Sequence, residues 1–506
     1  MDTADEVKSK IHAARAAQKV WAELPYNQRA RHVKRSQKFL AAHIEEIAEA
    51  IHRDTGKLVF DALSAELLPA VMGISYYLKQ GKHFCADKKI HGGSIVLFNK
   101  ISRMVHVPYG VIGIISPWNY PFAIPFSEVV MALLAGNAVV LKVASSTPEV
   151  GRALCRVFEA GELPAGLFSY IEMAGEEAGR VFAGTGGVDK LFFTGSTRAG
   201  KEIAKLASDR LLPLVLELGG ADAAIIRSDA DLDRAASGII WAGFANGGQS
   251  CGGVQRVFIH KSVYGAFLEN LTRKIQNLRT GSGLDDDLGP LAGSKQKERF
   301  DAQIERCLAA GDRIAAQSAL PGNEAKGGFF VRATVLTRET FDVYAPQQSP
   351  ALSEEIFGPV VIVLPVANDG EALIAANNSS YALTGSVWSR SSAAAKALSS
   401  RINAGAVMIN DHLMSHGLAE TPWGGFGDSG LGRTHGKAGF YEMLRAKVVI
   451  DDILPGVKRN LWWHPYSKKV CSGVMAIVDL LSAASPLKRL LAVPNVVRVF
   501  LRSWGK

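Results

Sequence analysis

The chain has 506 residues and a mass of 54.2 kDa, with 48% hydrophobic and 21% charged residues, a size that suggests about two to four domains with ample core. Intrinsic disorder is excluded by that balance, and 50 Gly without a period exclude collagen-like, coiled-coil and low-complexity architectures. The net charge of +9 is concentrated at one end: residues 456–506 hold nine Lys/Arg and one acid, Asp479, so the rest of the chain is nearly neutral and offers no nucleic-acid footprint.

Five Cys (Cys85, Cys155, Cys251, Cys307, Cys471) cannot all pair and share no metal-ligand spacing, which points to a reducing, cytoplasmic setting with no metal site. The acidic N-terminal stretch has no apolar core, so no secretory signal is expected. No run reaches the roughly 18 consecutive apolar residues of a spanning helix.

In chain order, residues 7–57 carry apolar positions at helical spacing (Val33, Leu40, Ile44, Ile47, Ile51) and close on Gly56, suited to a left-handed cap. Short β-branched runs follow at 111–115, 138–143, 190–193 and 223–226, each leading through Gly, Pro or Ser into a helical pattern. A second series with the same rhythm falls at 254–260, 360–364, 385–388 and 406–410. Alternation of this kind predicts an α/β fold of two domains with mostly parallel sheets covered on both faces. In the tail, Val474, Ile477, Val478 and Leu481 mark one amphipathic helix, and Pro486 and Pro494 should divide the remainder into short pieces.

Four local features suggest chemistry. The stretch 193–201, Phe-Thr-Gly-Ser-Thr-Arg-Ala-Gly-Lys, joins a strand to a helix and offers backbone N–H groups to a phosphate. Glu202 stands where a P-loop needs Ser or Thr, and Rossmann glycine spacing is absent, which favours a dinucleotide in an unusual turn; a plain strand-to-helix turn is the alternative. Cys251 lies in Gly-Gly-Gln-Ser-Cys-Gly-Gly, open to a substrate and near N–H dipoles that can favour a thiolate, although most lone Cys are inert. Glu217 ends an otherwise uncharged apolar run, where desolvation would raise its pKa into the range of a general base, or where a salt bridge would hold it. Asn119, fixed between Pro117 and Pro121 after a strand, is an oxyanion donor or a turn residue.

Seven stretches in one order, PWNYP (117–121), LKVASSTP (141–148), FTGSTRAG (193–200), LELGG (216–220), GQSC (248–251), EEIFGPV (354–360) and PWGGFGDSGLGR (422–433), resemble the aldehyde dehydrogenase superfamily. The resemblance implies a Rossmann-like cofactor domain, an α/β catalytic domain and a small oligomerisation arm. It makes Cys251 the nucleophile, Asn119 an oxyanion donor and Glu217 the base that hydrolyses a thioester. Lys142 is then the adenosine-ribose ligand, Ser196 the pyrophosphate ligand, Glu355 the nicotinamide-ribose ligand and Phe357 the neighbour of the nicotinamide ring. Ser116, Pro117, Trp118, Ser145, Gly195 and Leu218 complete the cofactor site. Retention of Glu217 favours hydrolytic members over CoA-acylating ones.

The implied boundaries are 1–88 and 108–217 for the dinucleotide domain, 89–107 and 438–455 for the arm, 218–437 for the catalytic domain and 456–506 for a basic amphipathic tail. Ser145 replaces an acid that NAD-preferring relatives often carry, so NAD and NADP both remain open as cofactors. The tail resembles, in position only, those of fatty aldehyde dehydrogenases. It is expected to touch a membrane face peripherally or to cover the substrate entrance, which suggests a medium- to long-chain apolar aldehyde. The short N-terminal arm suggests a homodimer, with a homotetramer as alternative. Competing readings are a semialdehyde dehydrogenase of small-molecule catabolism, a non-catalytic dinucleotide-binding scaffold, and a cysteine hydrolase with His260 or His412 as base.

Overall fold

The computed structural model describes residues 1–321 and 328–502, which leaves Trp504 and Lys506 of the tail outside the described residues. The chain divides into two compact units, one of residues 1–85 and 107–445, the other of residues 86–106 and 446–506. The arm expected at 89–107 and 438–455 thus shares most of its length with the tail in the smaller unit, while residues 438–445 belong to the larger.

The larger unit opens with three helices, Ala4–Glu23, Tyr26–Ala42 and Ile44–Thr55. Thr3 and Glu6 cap the first reciprocally, each side chain bonding the other's backbone N–H. Gly56 ends the third at φ +71°, the conformation its sequence position suggested. A six-stranded sheet follows, in the order Gly430–Leu431, Leu214–Glu217, Lys190–Thr194, Val111–Ile115, Ala138–Lys142, Phe168–Tyr170, with every pair parallel except the first. Strands 111–115 and 138–142 are buried along their whole length, because helices cover both faces of a parallel sheet.

A seven-stranded sheet has the order Arg313–Gln317, Thr334–Thr337, Val360–Val366, Val254–His260, Asp222–Ile226, Thr384–Trp388, Ala406–Ile409, antiparallel only at its first pair. Strand 222–226 therefore belongs with the second series, although its rhythm continues the first. Separate apolar clusters pack on the two faces of this sheet.

Residues 59–85 run as one helical stretch, Val59–Ala62, Leu63–Leu67 and Leu68–Cys85, the middle turn being π-helical. By length and mean hydropathy this stretch could cross a membrane, contrary to the expectation from uninterrupted apolar runs. One side of it packs into the larger unit, where Ala62, Leu67, Ala70, Ile74, Tyr77 and Phe84 are buried in the first sheet's apolar cluster, while Phe60, Leu68 and Met72 are exposed.

The smaller unit holds the three-stranded sheet Lys88–Ile90, Lys100–Pro108, Leu444–Asp452 and two terminal helices, Lys468–Ser482 and Pro486–Leu501. Pro494 does not divide the last helix, which runs through it. Pro494 is exposed there.

Candidate active site

Two cavities in the larger unit meet at the ends of the parallel strands, and both are lined by Cys251, Glu217 and Thr194. Open α/β sheets bind ligands at these carboxyl ends. The first cavity, about 380 Å³, is mostly apolar, with Phe60, Leu68, Met72, Trp241 and Met414 exposed at its mouth and Tyr120, Trp423, His416 and His435 deeper in. The second, about 150 Å³, is lined by Pro117, Trp118, Asn119, Gly195, Ser196, Leu218, Gly219, Gln296, Arg299, Glu355 and Phe357.

Glu217 ends strand Leu214–Glu217, between Thr194 of one neighbour and Gly430 of the other. Both its carboxylate oxygens are buried without a hydrogen-bond partner among the described residues. Burial, and then the charge of Glu128, push its pKa well above the usual carboxylate range, with Arg433 acting in the opposite direction. Glu128 lines the same apolar cavity from the wholly buried helix Ala123–Ala135 and is itself pushed up to about 8 by burial. The salt-bridge alternative for Glu217 finds no support, since the charge nearest in effect is another carboxylate.

Asn119 and Cys251 are tied together through the backbone between them. The Asn119 amide donates to the Gln249 carbonyl at 3.1 Å, and the Asn119 carbonyl accepts from Asn246 Nδ2 at 2.9 Å and Lys57 Nζ at 2.6 Å. Asn246, Gly247 and Gly248 are all left-handed, with φ of 55°, 63° and 69°. A Cβ on Gly248 would lie 2.3 Å from the Gly358 carbonyl, so the loop that leads to Cys251 can press against the Glu355–Gly358 turn only because glycine stands there. Sequence reasoning missed Lys57, Asn246, Gln249 and Glu128. Only Glu128 carried a usable signal, a lone acid in the apolar run 122–135, the same signal that marked Glu217.

The electrostatics around Cys251 oppose a resting thiolate. Burial, then Glu355, Asp222 and Glu217, push its thiol up, and the Gly252 N–H only partly offsets them. The expected help from N–H dipoles is outweighed because burial strips the thiolate of water and three carboxylates add to the effect. Neither His proposed as a hydrolase base lines either cavity: His260 is held by Ser262 and His412 by Ser386 and Thr384. His416 and His435 do line the apolar one, with ring centroids 4.9 Å apart, but burial lowers them to about 4 and about 3, so both are neutral near pH 7.

The second cavity offers groups suited to the pyrophosphate and nicotinamide-ribose portion of the dinucleotide that the sequence implies. Ser196 caps helix Thr197–Ser208, whose first turn has no acid, so its N-terminus presents N–H groups to an anion. Gly219 lets the chain lie close to Glu355, where a Cβ would come within 2.5 Å of Oε2, and the Gly220 N–H donates to Glu355 Oε1 at 3.2 Å. Trp118 and Phe357 meet edge to face at 5.5 Å.

Lys142, Ser145 and Ser116 stand apart from that cavity. Lys142 is buried at the end of strand Ala138–Lys142, close to Gly175. Ser116 donates its N–H to the Lys142 carbonyl at 2.9 Å, and its hydroxyl is buried without a partner among the described residues. Ser145 lines a separate cavity of about 60 Å³ with Tyr170 and Glu172. Glu172 thus brings a carboxylate beside Ser145 that the spacing from Lys142 did not reveal, because it comes from the next strand's end.

The sequence profile of the aldehyde dehydrogenase family matches residues 1–449. The chain belongs to the aldehyde dehydrogenase family. It is 30% identical over 477 residues to the 4,4'-diapolycopene aldehyde oxidase of a Methylomonas species, covering 94% of this chain and 87% of that one. It is 32% identical over 471 residues to a Mycolicibacterium smegmatis protein provisionally named succinate-semialdehyde dehydrogenase (NADP(+)), covering 91% and 88%. Among solved structures, the betaine aldehyde dehydrogenase of Staphylococcus aureus in complex with NAD+ superposes with a TM-score of 0.83 at 28% identity, over 90% of this chain and 89% of that one. The α/β fold expected from the sequence is therefore that of this family, whose members are oxidoreductases acting on aldehydes.

Placing an acid at residue 145 of this aldehyde dehydrogenase tests where the adenosine ribose sits. Ser145→Glu is expected to weaken NADP on the order of 10-fold more than NAD, because a second carboxylate beside Glu172 repels a 2′-phosphate but bonds a ribose hydroxyl. Titration of both cofactors by fluorescence quenching measures it; equal losses would take Ser145 out of the ribose site.

Proposed function

We propose that the protein oxidises medium- to long-chain apolar aldehydes to carboxylic acids, with NAD or NADP as acceptor, through covalent intermediates on Cys251. The observation that carries the substrate class is the lining of the larger cavity: an apolar mouth and, among the described residues, no Lys or Arg. A carboxylated semialdehyde would meet Asp61, Glu128 and two neutral His there, with no cation to pair its charge.

In this reading the Cys251 thiol gives up its proton to solvent water and Sγ bonds to the aldehyde carbon, while the carbonyl π electrons move to oxygen. The Asn119 amide and the Cys251 N–H hold that oxyanion where the charge develops. When bound, the nicotinamide supplies an acceptor for the hydride that leaves the thiohemiacetal carbon, and the carbonyl re-forms as a thioester. Glu217 takes a proton from water, the resulting hydroxide adds to the thioester, and Sγ departs as the acid is released. Glu217 suits this role because burial makes it basic and, among the described residues, no hydrogen-bond partner occupies its oxygens. We also propose a homodimer or homotetramer, supported by strand Leu444–Asp452 at a sheet edge with Val448 and Ile450 exposed.

A panel of n-alkanals from butanal to dodecanal, set against succinic semialdehyde and betaine aldehyde, tests the substrate class. Each methylene buried in the cavity is worth roughly 0.8 kcal/mol, so kcat/KM should rise about fourfold per carbon until the cavity is filled. A higher kcat/KM for succinic semialdehyde than for decanal would refute the apolar reading, and one for betaine aldehyde would turn Asp61 and Glu128 into cation ligands.

A further inference from the structure

The two terminal helices lie beyond residue 449, where the match to the aldehyde dehydrogenase family ends. They pack on one another through Val470, Ile477 and Val499, with Val474, Val496 and Phe500 at the margin. Gly473 permits the contact, since a Cβ there would meet Val499 Cβ at 2.4 Å. This inner seam uses only one side of each helix. The sequence put Val478 and Leu481 on the same face as Val474 and Ile477, yet the structure leaves both exposed, because Val470, Gly473 and Ile477 make the seam.

The last helix carries a second apolar face, pointing away from the first. Leu487, Leu490, Leu491, Val497 and Leu501, with Pro494 among them, recur at helical spacing opposite buried Ala492 and Val499. These side chains are 64%, 68%, 67%, 50% and 62% exposed, too regular a stripe to be incidental surface. Met475, Val478 and Leu481 are exposed on the preceding helix. Trp462, Trp463 and Tyr466 are exposed in the loop before it, which Arg502 draws to the end of the last helix by bonding the Trp463 and Pro465 carbonyls.

Charge says what covers this face. Lys468, Lys469, Lys488, Arg489, Arg498 and Arg502 lie on the same two helices or at their end, and the one acid, Asp479, already pairs with Lys488 at 2.8 Å. A second copy seated on the stripe would bring the same basic face against itself, like charge on like. An anionic lipid surface matches both features, accepting the leucines below the headgroups, the aromatic rings at their level and the Lys/Arg among the phosphates. We propose that this helix pair docks the enzyme peripherally on anionic membranes, with the Leu487–Leu501 stripe embedded in the interface. The inference is independent of which aldehyde the larger unit oxidises.

The test uses the full chain and three proteins: the parent, a variant with Leu487→Gln, Leu490→Gln and Leu491→Gln, and a variant with Lys468→Gln, Lys469→Gln and Arg498→Gln. All six positions are exposed, so circular dichroism and thermal unfolding should match the parent. Each is sedimented with vesicles of phosphatidylcholine alone or phosphatidylcholine with phosphatidylserine, at low and high salt, while tryptophan emission is followed. The parent should bind the phosphatidylserine vesicles with a blue shift, and weakly or not at all the neutral ones. The leucine variant should lose binding in both salts, and the charge variant on the order of 100-fold at low salt. Equal binding of parent and leucine variant, or equal affinity for neutral and anionic vesicles, overturns the proposal. So does light scattering in which the leucine variant falls to a smaller assembly while the parent ignores vesicles, since the stripe would then belong to a subunit contact.

Discussion

Cys251→Ala is expected to abolish both the burst of reduced cofactor and steady turnover, a loss on the order of 10⁴-fold or more, whereas Glu217→Gln should keep the burst and lose turnover. In the proposed mechanism the two differ because Sγ is consumed in the first bond made, while Glu217 acts on water only after the thioester exists. Rapid mixing with decanal, read by absorbance of the reduced nicotinamide, separates them. Residual parent-like turnover in Cys251→Ala would end the covalent reading, and an absent burst in Glu217→Gln would move Glu217 into the acylation step.

The pH profile carries the same distinction. Glu217 works as a base only when ionised, and its pKa in the folded protein is raised by burial and by Glu128. In the proposed role its active fraction therefore grows as pH rises through that raised value, so steady turnover should climb with pH above the usual carboxylate range. Glu128, lifted to about 8, gains its own charge as pH rises through that value and then works against Glu217. Glu128→Gln removes that repulsion and should move the turnover limb to lower pH. The burst, governed by a Cys251 thiol also pushed up, should keep its own rising limb in Glu217→Gln.

Much of this was legible in the sequence where local chemistry and position coincide. Strands 111–115 and 254–260 have the expected limits because β-branched runs end sharply at Gly, Pro or a charged turn. Cys251, Glu217 and Asn119 were each marked by an oddity in their own neighbourhood, and the fold brings all three to the second cavity. What stayed hidden depends on contacts distant in sequence. Glu172 reaches Ser145 from a neighbouring strand, and the carboxylates that raise Cys251 come from residues 217, 222 and 355. No periodicity encodes such meetings. Pro494 misled for the converse reason, since the helix Pro486–Leu501 runs through it at an exposed position against the local rule.

The deepest such contact gives the second large effect. Lys57 and Glu66 are 2% and 0% exposed and pair at 2.6 Å, the glutamate lying in the π-helical turn Leu63–Leu67. Lys57 spends a further N–H on the Asn119 carbonyl at 2.6 Å and sits 4.7 Å over the Tyr120 ring, while Glu66 Oε2 accepts the Phe122 and Ala123 N–H groups at 2.8 and 3.2 Å. The pair thus grips both ends of the turn that carries Asn119. Lys57→Met should destabilise the protein by about 3–5 kcal/mol, since it leaves a buried carboxylate without its partner. Lys57→Met with Glu66→Gln removes that charge and should recover much of the stability, while Asn119 remains untethered from one side. The burst rate of the double variant should then stay about 10- to 100-fold below the parent, because an oxyanion donor displaced by an ångström loses most of its effect on the transition state. Denaturant unfolding and the burst, measured on the same preparations, separate the two roles. A double variant that regains both stability and burst would show the pair to be a fold device alone, and one that regains stability without the burst would show that Lys57 places Asn119 for catalysis.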